Sequence, residues 1–202
     1  MKRFRFALLA VALVVGLVTT ASVASPLRHE KQAKTGLTIR WDITSGAQTP
    51  PGPIVAGGVA SAVAPDGTMI TFKGTGTFGG LPKKVTGGGD WTTYAPSGAQ
   101  SGTGTYKVLS LVSFIQANFQ GPTPAFTDNI GDLNKRANGT AVLRIAYSDG
   151  SQGVLTVGCH GPGAPPGIIE GIAATKGFKT YYETEEPKPG VDANRTLFHV
   201  GV

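Results

Sequence analysis

Short segments in which apolar and polar residues alternate dominate the chain from residue 37 onward. In the first of them, Leu37, Ile39, Trp41 and Ile43 alternate with polar neighbours. A period of two is typical of a β-strand with one buried face. Similar segments, separated by glycine and proline, predict ten strands over 37–43, 59–64, 69–78, 84–94, 103–116, 141–147, 153–159, 168–175, 177–183 and 196–200.

The segment over 103–116 differs because both of its faces are apolar. Tyr106, Val108, Val112 and Phe114 share one parity, and Leu109, Leu111 and Ile115 share the other. A strand that is apolar on both faces is typical of one that is covered on both sides. We therefore expect this strand to be buried, at least in part, on its two faces.

Turn residues connect these segments. Ser148-Asp149-Gly150 lies between the strands expected over 141–147 and 153–159, and Gly150 supplies the positive φ that a tight hairpin turn needs. Three longer stretches, 44–57, 116–139 and 185–195, are rich in proline or polar residues and are expected to be loops.

The pattern predicts an all-β fold. No stretch has sustained helical periodicity, and the 30 glycines and 14 prolines suit many short strands joined by tight bends. We expect a single antiparallel β-barrel of about eight to ten short strands, with a β-sandwich as the alternative. A barrel is favoured because closure removes exposed strand edges.

The amino-terminal residues resemble a secretory signal. Basic residues at Lys2, Arg3 and Arg5 precede an apolar run of 13 residues over 6–18 and the small residues of Ser22-Val23-Ala24. This run is shorter than the ~20 residues that span a bilayer. The expected organisation is a signal peptide over 1–24, a flexible arm over 25–35 and one all-β domain over 36–202. The mature protein would be secreted and have no stable membrane span.

Charge argues against a nucleic-acid partner. The net charge of the chain is +6, and removal of the signal with Lys2, Arg3 and Arg5 leaves +3. The remaining basic residues are scattered, whereas nucleic-acid binders concentrate them on one face.

The single cysteine, Cys159, excludes an internal disulfide. It ends an alternating apolar segment, so we expect a buried thiol; the alternative is an exposed thiol that pairs between chains. Cys159, His160, Glu170 and His199 are potential zinc ligands. Their spacing matches no known zinc motif, and no metal site is expected.

Asn138 and Asn194 each begin an N-glycosylation sequence, and the sequence leaves their modification open.

Two glycine-rich strings invite functional interpretations. Gly74, Gly76 and Gly79 match a dinucleotide-binding pattern, but another predicted strand follows instead of a helix, so no cofactor is expected. In the second string, over 85–91, three glycines precede Asp90 and Trp91. They either bend a strand at a barrel corner or bring the Asp-Trp pair into a pocket.

Five residues form the candidate ligand site. Trp91 and Tyr106 would provide an aromatic wall, and Asp90, Glu170 and His199 would provide polar groups. In the alternative interpretation, the aromatic residues belong to the core, the acids are solvated, and Glu170 and His199 tie loops to the sheet.

Several segments carry a resemblance to known families. With GVASAVAPDGTMITFKGTGTF, VTGGGDW, YSDGSQGVLTVGCH and RTLFHV, the chain resembles a family of secreted bacterial proteins without an assigned function. The stretch from VTGGGDW through GTGTYKV is also similar to the glycine-rich strand pairs of allene-oxide-cyclase and dirigent-like barrels. That likeness implies a barrel that acts on small hydrophobic molecules, but no catalytic residue of those families can be matched here.

These observations favour a secreted, non-enzymatic β-protein that binds a small apolar ligand or a surface partner. A barrel enzyme of the cyclase or isomerase type and a structural envelope or extracellular protein are the alternatives. The interior distinguishes them, because a wide cavity favours ligand chemistry and a packed interior favours surface binding. The sequence leaves the oligomeric state open.

Overall fold

The computed structural model describes residues 36–46, 52–80, 83–121, 126–183 and 195–202. The expected signal peptide over 1–24, the arm over 25–35 and Asn194 lie outside these residues. No helix in the described part of the chain is long and apolar enough to cross a membrane.

Thirteen β-strands and one short 3-10 helix make up the described elements. In chain order they are β1 (Thr38–Gly46), β2 (Gly52–Ala56), β3 (Ala60–Val63), β4 (Met69–Phe72), β5 (Thr75–Gly79), β6 (Lys84–Tyr94), β7 (Gln100–Phe119), β8 (Phe126–Asp128), the 3-10 helix (Leu133–Lys135), β9 (Arg136–Tyr147), β10 (Gln152–Cys159), β11 (Gly171–Lys176), β12 (Lys179–Glu183) and β13 (Arg195–Val200). The all-β class is confirmed, but the expected number of eight to ten strands was too low.

Two features account for the additional strands. The single strand expected over 69–78 is interrupted after Phe72, and its halves take different neighbours: β4 pairs with β3, whereas β5 pairs with β1. The segments over 44–57 and 116–139, expected to be loops, contain β2 and β8, which pair in parallel. Neither short strand has an alternating pattern, so periodicity alone did not reveal them.

Eight strands pair in a circuit that returns to its starting point. The order is β9, β10, β11, β12, β3, β4, β6, β7 and again β9, with every pair antiparallel. We refer to it as the eight-strand circuit. Its narrowest link joins β12 to β3, where Tyr182 pairs with Val63 and Glu183 with Ala62.

A second group of strands is attached to the circuit. β1 pairs with β13 on one side and with β5 on the other, while β13 continues to β9 and β5 to β6. Phe114 of β7 joins the core of this group, with its ring centroid 5.0 Å from that of Phe78 and 5.2 Å from that of Phe198. The long strands β6, β7 and β9 therefore belong to both groups.

The glycine run in β6 lies where this strand changes its neighbour from β5 to β4. Gly87 has a φ of +134°, and a Cβ atom at Gly89 would lie 2.0 Å from the carbonyl oxygen of Lys73. A Cβ atom at Gly76, in the facing strand β5, would lie 2.3 Å from the carbonyl oxygen of Thr86. Glycine is needed where backbones approach this closely. Close backbone approach therefore accounts for the glycines at these positions.

The hairpin turn between β9 and β10 is also confirmed. The carbonyl oxygen of Tyr147 accepts a hydrogen bond from the N–H of Gly150 at 3.0 Å, and Asp149 Oδ1 accepts one from the N–H of Ser151 at 3.0 Å. Gly150 has a φ of +87°, and the same arrangement recurs at Gly67 and Gly98.

Replacement of Gly150 tests the backbone requirement of this turn. A Cβ atom at Gly150 would meet no heavy atom within 4 Å, so a substitution introduces backbone strain without a steric clash. We expect Gly150→Val to lower the free energy of unfolding by about 1–3 kcal/mol, because β-branched residues tolerate positive φ poorly. Urea unfolding measures this change. Gly150→Asn is the control and should cost less, since asparagine adopts positive φ more readily. Equal losses in the two variants would contradict the interpretation.

Candidate functional site

Side chains fill the interior of the eight-strand circuit. Phe72 and Tyr106 pack edge to face with ring centroids 5.1 Å apart, and Trp91 and Tyr147 do so at 5.7 Å. The buried hydrophobic residues on the strands of the circuit are Ala60, Ala62, Ile70, Phe72, Trp91, Tyr106, Val108, Ala137, Ala141, Leu143, Ile145, Tyr147, Leu155, Val157, Cys159, Ile172, Ala174 and Tyr181. Trp91 and Tyr106 of the expected site are therefore core residues.

Polar contacts hold these aromatic residues in place. The indole Nε1 of Trp91 donates a hydrogen bond to the carbonyl oxygen of Thr105 at 3.0 Å. The ammonium group of Lys176 lies 4.4 Å from the ring centroid of Trp91 and 4.8 Å from that of Tyr147, and it pairs with Asp149. Burial raises the pKa of Tyr106 well above its usual range, so the phenol stays neutral. Lys176 thus covers the aromatic cluster at the hairpin end.

Asp90 lies apart from this cluster. Its side chain is exposed, and its main chain exchanges hydrogen bonds with Lys73 at 2.9 and 3.2 Å. It therefore shares a strand with Trp91 without sharing its environment.

Glu170 lies at the other end of β10 and joins three segments. Its Oε2 accepts a hydrogen bond from the N–H of His160 at 2.5 Å, and its Oε1 accepts one from the N–H of Thr196 at 2.9 Å. The carboxyl group thus links the residue after β10, the residue before β11 and the start of β13. It ties loop residues to the sheet, as the alternative interpretation of this residue proposed.

A small cavity lies beside Glu170. Its volume is about 110 Å³. The side chains that give it its polar character are Arg136, Arg195, Glu170, His160 and Gln120, and Cys159, Thr44, Ile54, Gly161, Pro162, Thr196 and Leu197 complete the lining. The volume is far below the ~300–1,000 Å³ of drug-sized sites, so it suits a molecule of a few heavy atoms.

The ionisation of Glu170 is strongly perturbed. Burial raises the pKa of its carboxyl group to about 7, against the opposing effects of the two N–H donors and the charge of Arg195. Near neutral pH, the carboxyl group is therefore protonated in a substantial fraction of the molecules.

Cys159 and His160 border the same cavity with different roles. The thiol of Cys159 is 2% exposed and accepts a hydrogen bond from Gln120 Nε2 at 3.1 Å, which confirms the expected burial. Burial raises the pKa of this thiol well above its usual range. The ring Nδ1 of His160 lies 2.7 Å from the carbonyl oxygen of Ile168, so that nitrogen carries a proton and donates.

His199 belongs to a second cluster, in which its ring and the carboxylate of Asp128 are buried. Its Nε2 lies 2.9 Å from Asp128 Oδ2, and the N–H groups of Ile130 and Gly131 donate to Asp128 Oδ1 at 2.9 and 3.0 Å. Burial alone would raise the pKa of Asp128, but these donors outweigh it and the pKa is lowered. Arg136 Nε is 3.9 Å from the same carboxylate. The Asp128–His199 pair is enclosed, so a dissolved substrate cannot reach it. Its hydrogen bonds hold the loop after β8.

The five expected site residues thus lie in several environments: Trp91 and Tyr106 in the core, Asp90 on the surface, Glu170 at the small cavity and His199 in the buried cluster. Within the described ranges, no group of three or more histidine, cysteine, aspartate or glutamate side chains is arranged to hold a metal ion. Asn138 is fully buried, and its amide contacts Asn118, Gly161 and Pro162, so the folded chain does not expose it for glycosylation.

Sequence reasoning missed Arg136 and Arg195 at the cavity. Each arginine is the first residue of a strand whose following residues are buried, and this charge next to an apolar segment could have indicated a partly buried cation.

The sequence analysis also missed an exposed apolar surface on β7. Leu109, Val112 and Ile115 are exposed, so the expectation that both faces of this strand are covered was wrong.

Register shifts explain the exposed surface of β7. They occur between Val108 and Ser110, between Leu111 and Ser113, and between Gln116 and Asn118 in the pairing with β9. Each bulge changes which parity points outward. Leu111 and Phe114 therefore lie on the same face despite their odd spacing, because their partners Leu143 and Ala141 are two residues apart in β9. A count of alternating positions could not detect this.

Comparisons with known proteins do not assign the chain to a family. No protein-family model matches it, and no curated protein or solved structure is significantly similar to it.

The raised pKa of Glu170 predicts a pH-dependent stability. Between about pH 4.5 and 7 the folded state retains a proton that the unfolded state has released, so the free energy of unfolding should fall as the pH rises. The full change for a shift of this size is about 3 kcal/mol. Urea unfolding across this pH range measures it. Glu170→Gln is the control and should lack this component. A wild-type stability that rises relative to the variant over the same range would contradict the assignment.

Proposed function

We propose that the chain is a secreted, non-enzymatic binding protein that recognises its partner on its outer surface. The observation that carries this proposal is the packed interior of the eight-strand circuit, combined with exposed apolar side chains on β7. An interior filled by aromatic and aliphatic side chains leaves the outer surface as the place for recognition. Contiguous exposed apolar residues are characteristic of interaction surfaces.

We infer that the eight-strand circuit is a small β-barrel. The return of the pairings from β7 to β9 supports this inference, because a barrel is a sheet whose last strand pairs with its first. An interior filled by side chains is also typical of barrels of about eight strands. The narrow link between β12 and β3 would be the weakest part of its wall.

The packing of side chains inside the circuit also favours binding at the outer surface over an enzyme site in the interior. A cyclase or isomerase would need a site that encloses its substrate. Phe72 and Tyr147 are in ring contact with Tyr106 and Trp91, and the depression of about 410 Å³ beside Tyr106 and Tyr147 is open to the surface. The other alternative is a purely structural envelope protein. That role would not explain the exposed apolar side chains on β7.

A second candidate function is the binding of a small oxyanion in the cavity beside Glu170. Arg136 and Arg195 are among the residues that line this cavity, and arginine is suited to carboxylate and phosphate groups. Both oxygens of Glu170 already accept hydrogen bonds from the main chain. The lining therefore favours a ligand that accepts hydrogen bonds over the small apolar ligand expected from sequence.

Titration calorimetry with phosphate and with acetate tests the second candidate. We expect binding to weaken as the pH rises through about 7, because ionised Glu170 repels an anion. Arg195→Gln should weaken binding at least about tenfold, the loss expected for one charge-assisted hydrogen bond. Lys73→Gln, at an exposed cation outside the cavity lining, is the control and should bind like the wild type. Equal binding by the two variants would exclude the cavity.

Fluorescence of bis-ANS tests the surface proposal. At high dilution, the native protein should bind this apolar probe, and Val112→Ser/Ile115→Ser should reduce the binding severalfold because it removes two of the most exposed apolar groups on β7. Phe178→Ser is the matched control, since Phe178 is exposed on the turn between β11 and β12. Probe binding that is unchanged by the β7 substitutions would contradict the proposal.

A further inference from the structure

The cavity beside Glu170 lies where strand pairing along β13 stops. β13 pairs with β9 only at Phe198 and His199, and no other described strand pairs with its first residues on that side. Instead, the N–H of Thr196 donates a hydrogen bond to Glu170 Oε1 at 2.9 Å, and the hydroxyl of Thr196 donates one to the carbonyl oxygen of Gly158. The side chain of Glu170 thus takes the place of a neighbouring strand, and the cavity lies within this gap.

One wall of the cavity comes from a single face of the strands around β13. Arg195 and Leu197 are two residues apart in β13, so they share this face. Thr44 of β1 pairs with Arg195 and lies on it as well. The registers of β9 and β2 place Arg136 and Ile54 on the same face. Two arginines and two aliphatic residues from one sheet face therefore line the same small space.

The other wall comes from the end of β10 and the loop that follows it. Cys159, His160 and Pro162 lie there together with Glu170. His160 and Pro162 are exposed, so solvent reaches the cavity beside them. Glu170 is the one acidic residue among the described residues of the lining, which also holds two arginines. Because burial raises the pKa of Glu170 to about 7, the lining is cationic at and below neutral pH, which favours an anion.

The size and the aliphatic residues of the cavity restrict the kind of anion. A volume of about 110 Å³ equals the share of about four water molecules in the liquid, at ~30 Å³ each, and admits an anion of about four to six heavy atoms. Phosphate and sulfate have oxygen atoms on every side, and some of these would lose water against Ile54 and Leu197, whose side chains offer no hydrogen bond. A carboxylate with a short alkyl group has one polar and one apolar end, as the lining does.

We propose that this cavity binds a short-chain monocarboxylate of about two to four carbon atoms. This inference rests on the second candidate function, because it names the class of oxyanion that the same cavity takes. The carboxylate lies towards Arg136 and Arg195, since arginine can pair with both oxygens of a carboxylate. The alkyl group lies against Ile54 and Leu197, and each CH₂ group that leaves water there should strengthen binding about fourfold.

Glu170 couples this binding to a proton. Arg195 of β13, His160 after β10 and the thiol of Cys159 are the charged and titratable groups that act on it, and Arg136 of β9 lines the same space. A bound carboxylate adds a like charge beside Glu170, so the complex retains a proton that part of the free protein has released. Above pH 7, the affinity should therefore fall by up to about tenfold per pH unit.

Titration calorimetry of the secreted protein at pH 6 with acetate, propionate, acetamide and phosphate tests this inference. Propionate should bind about fourfold more tightly than acetate, because it buries one more CH₂ group. Acetamide, which has the shape of acetate without its charge, should bind at least about tenfold more weakly than acetate. Phosphate should bind at least about tenfold more weakly than propionate, because its oxygens lose water against aliphatic side chains.

Two substitutions separate the roles of the apolar residues and the acid. Ile54→Thr should remove the preference for propionate over acetate, because it places a hydroxyl group where the alkyl chain lies. Val55→Thr, at the exposed neighbour of Ile54 in β2, is the matched control and should keep this preference. Glu170→Gln should bind acetate with the same affinity at pH 7 and pH 8, whereas the wild type weakens over this range. Equal melting temperatures would establish that the variants are folded, and the ligand series on the wild type tests the inference without them.

The outcomes separate this inference from the function on which it rests. Phosphate that binds as tightly as propionate, or propionate that binds no more tightly than acetate, overturns the monocarboxylate as the ligand and leaves the oxyanion function in place. A wild-type affinity that is equal at pH 7 and pH 8 overturns the coupling to Glu170. If none of the anions binds, or if Arg195→Gln binds them like the wild type, both this inference and the oxyanion function fail.

Discussion

The pairing of β7 with β9 is the interaction on which both parts of the fold depend. It runs from Tyr106 with Tyr147 to Phe119 with Ala137. The second edge of β9 is divided, because residues 139–146 pair with β10 and residues 136–137 pair with β13. Each position of a strand can pair with one neighbour on each side. β7 and β9 can belong to both groups of strands because each is long enough to pair with different neighbours along its length. The same length leaves part of β7 without a second neighbour, and the exposed apolar surface is a consequence.

Buried carboxyl groups hold the loops without the help of a disulfide. Glu170 joins the end of β10 to the start of β13, and Asp128 joins the loop after β8 to His199. The two groups have opposite pKa shifts. At Glu170, burial outweighs two main-chain hydrogen bonds, whereas at Asp128 two main-chain hydrogen bonds and the contact with His199 outweigh burial. The balance between desolvation and hydrogen bonding therefore sets the direction at each carboxyl group.

The division between a filled interior and an apolar outer strand shapes the proposed function. Trp91 has the side chain expected of a ligand-binding wall, but it packs on Tyr147 beneath the ammonium group of Lys176. Val112 and Ile115 have the side chains expected of a core, but they face solvent. Residue type alone therefore does not predict which of these side chains is buried and which is exposed.

The sequence by itself determined the all-β class, the β9–β10 hairpin with its glycine turn, the need for glycine in the run over 85–91 and the burial of Cys159. These features depend on local chemistry: a period of two, a positive φ, or a backbone approach that only glycine allows. Tertiary structure alone decided the pairing partners of each strand, the short strands β2 and β8, and the positions of Asp90, Glu170 and His199. It also decided which side of β7 faces solvent. Pairing and burial are set by residues distant in sequence, and a single bulge reverses the face on which every later side chain lies.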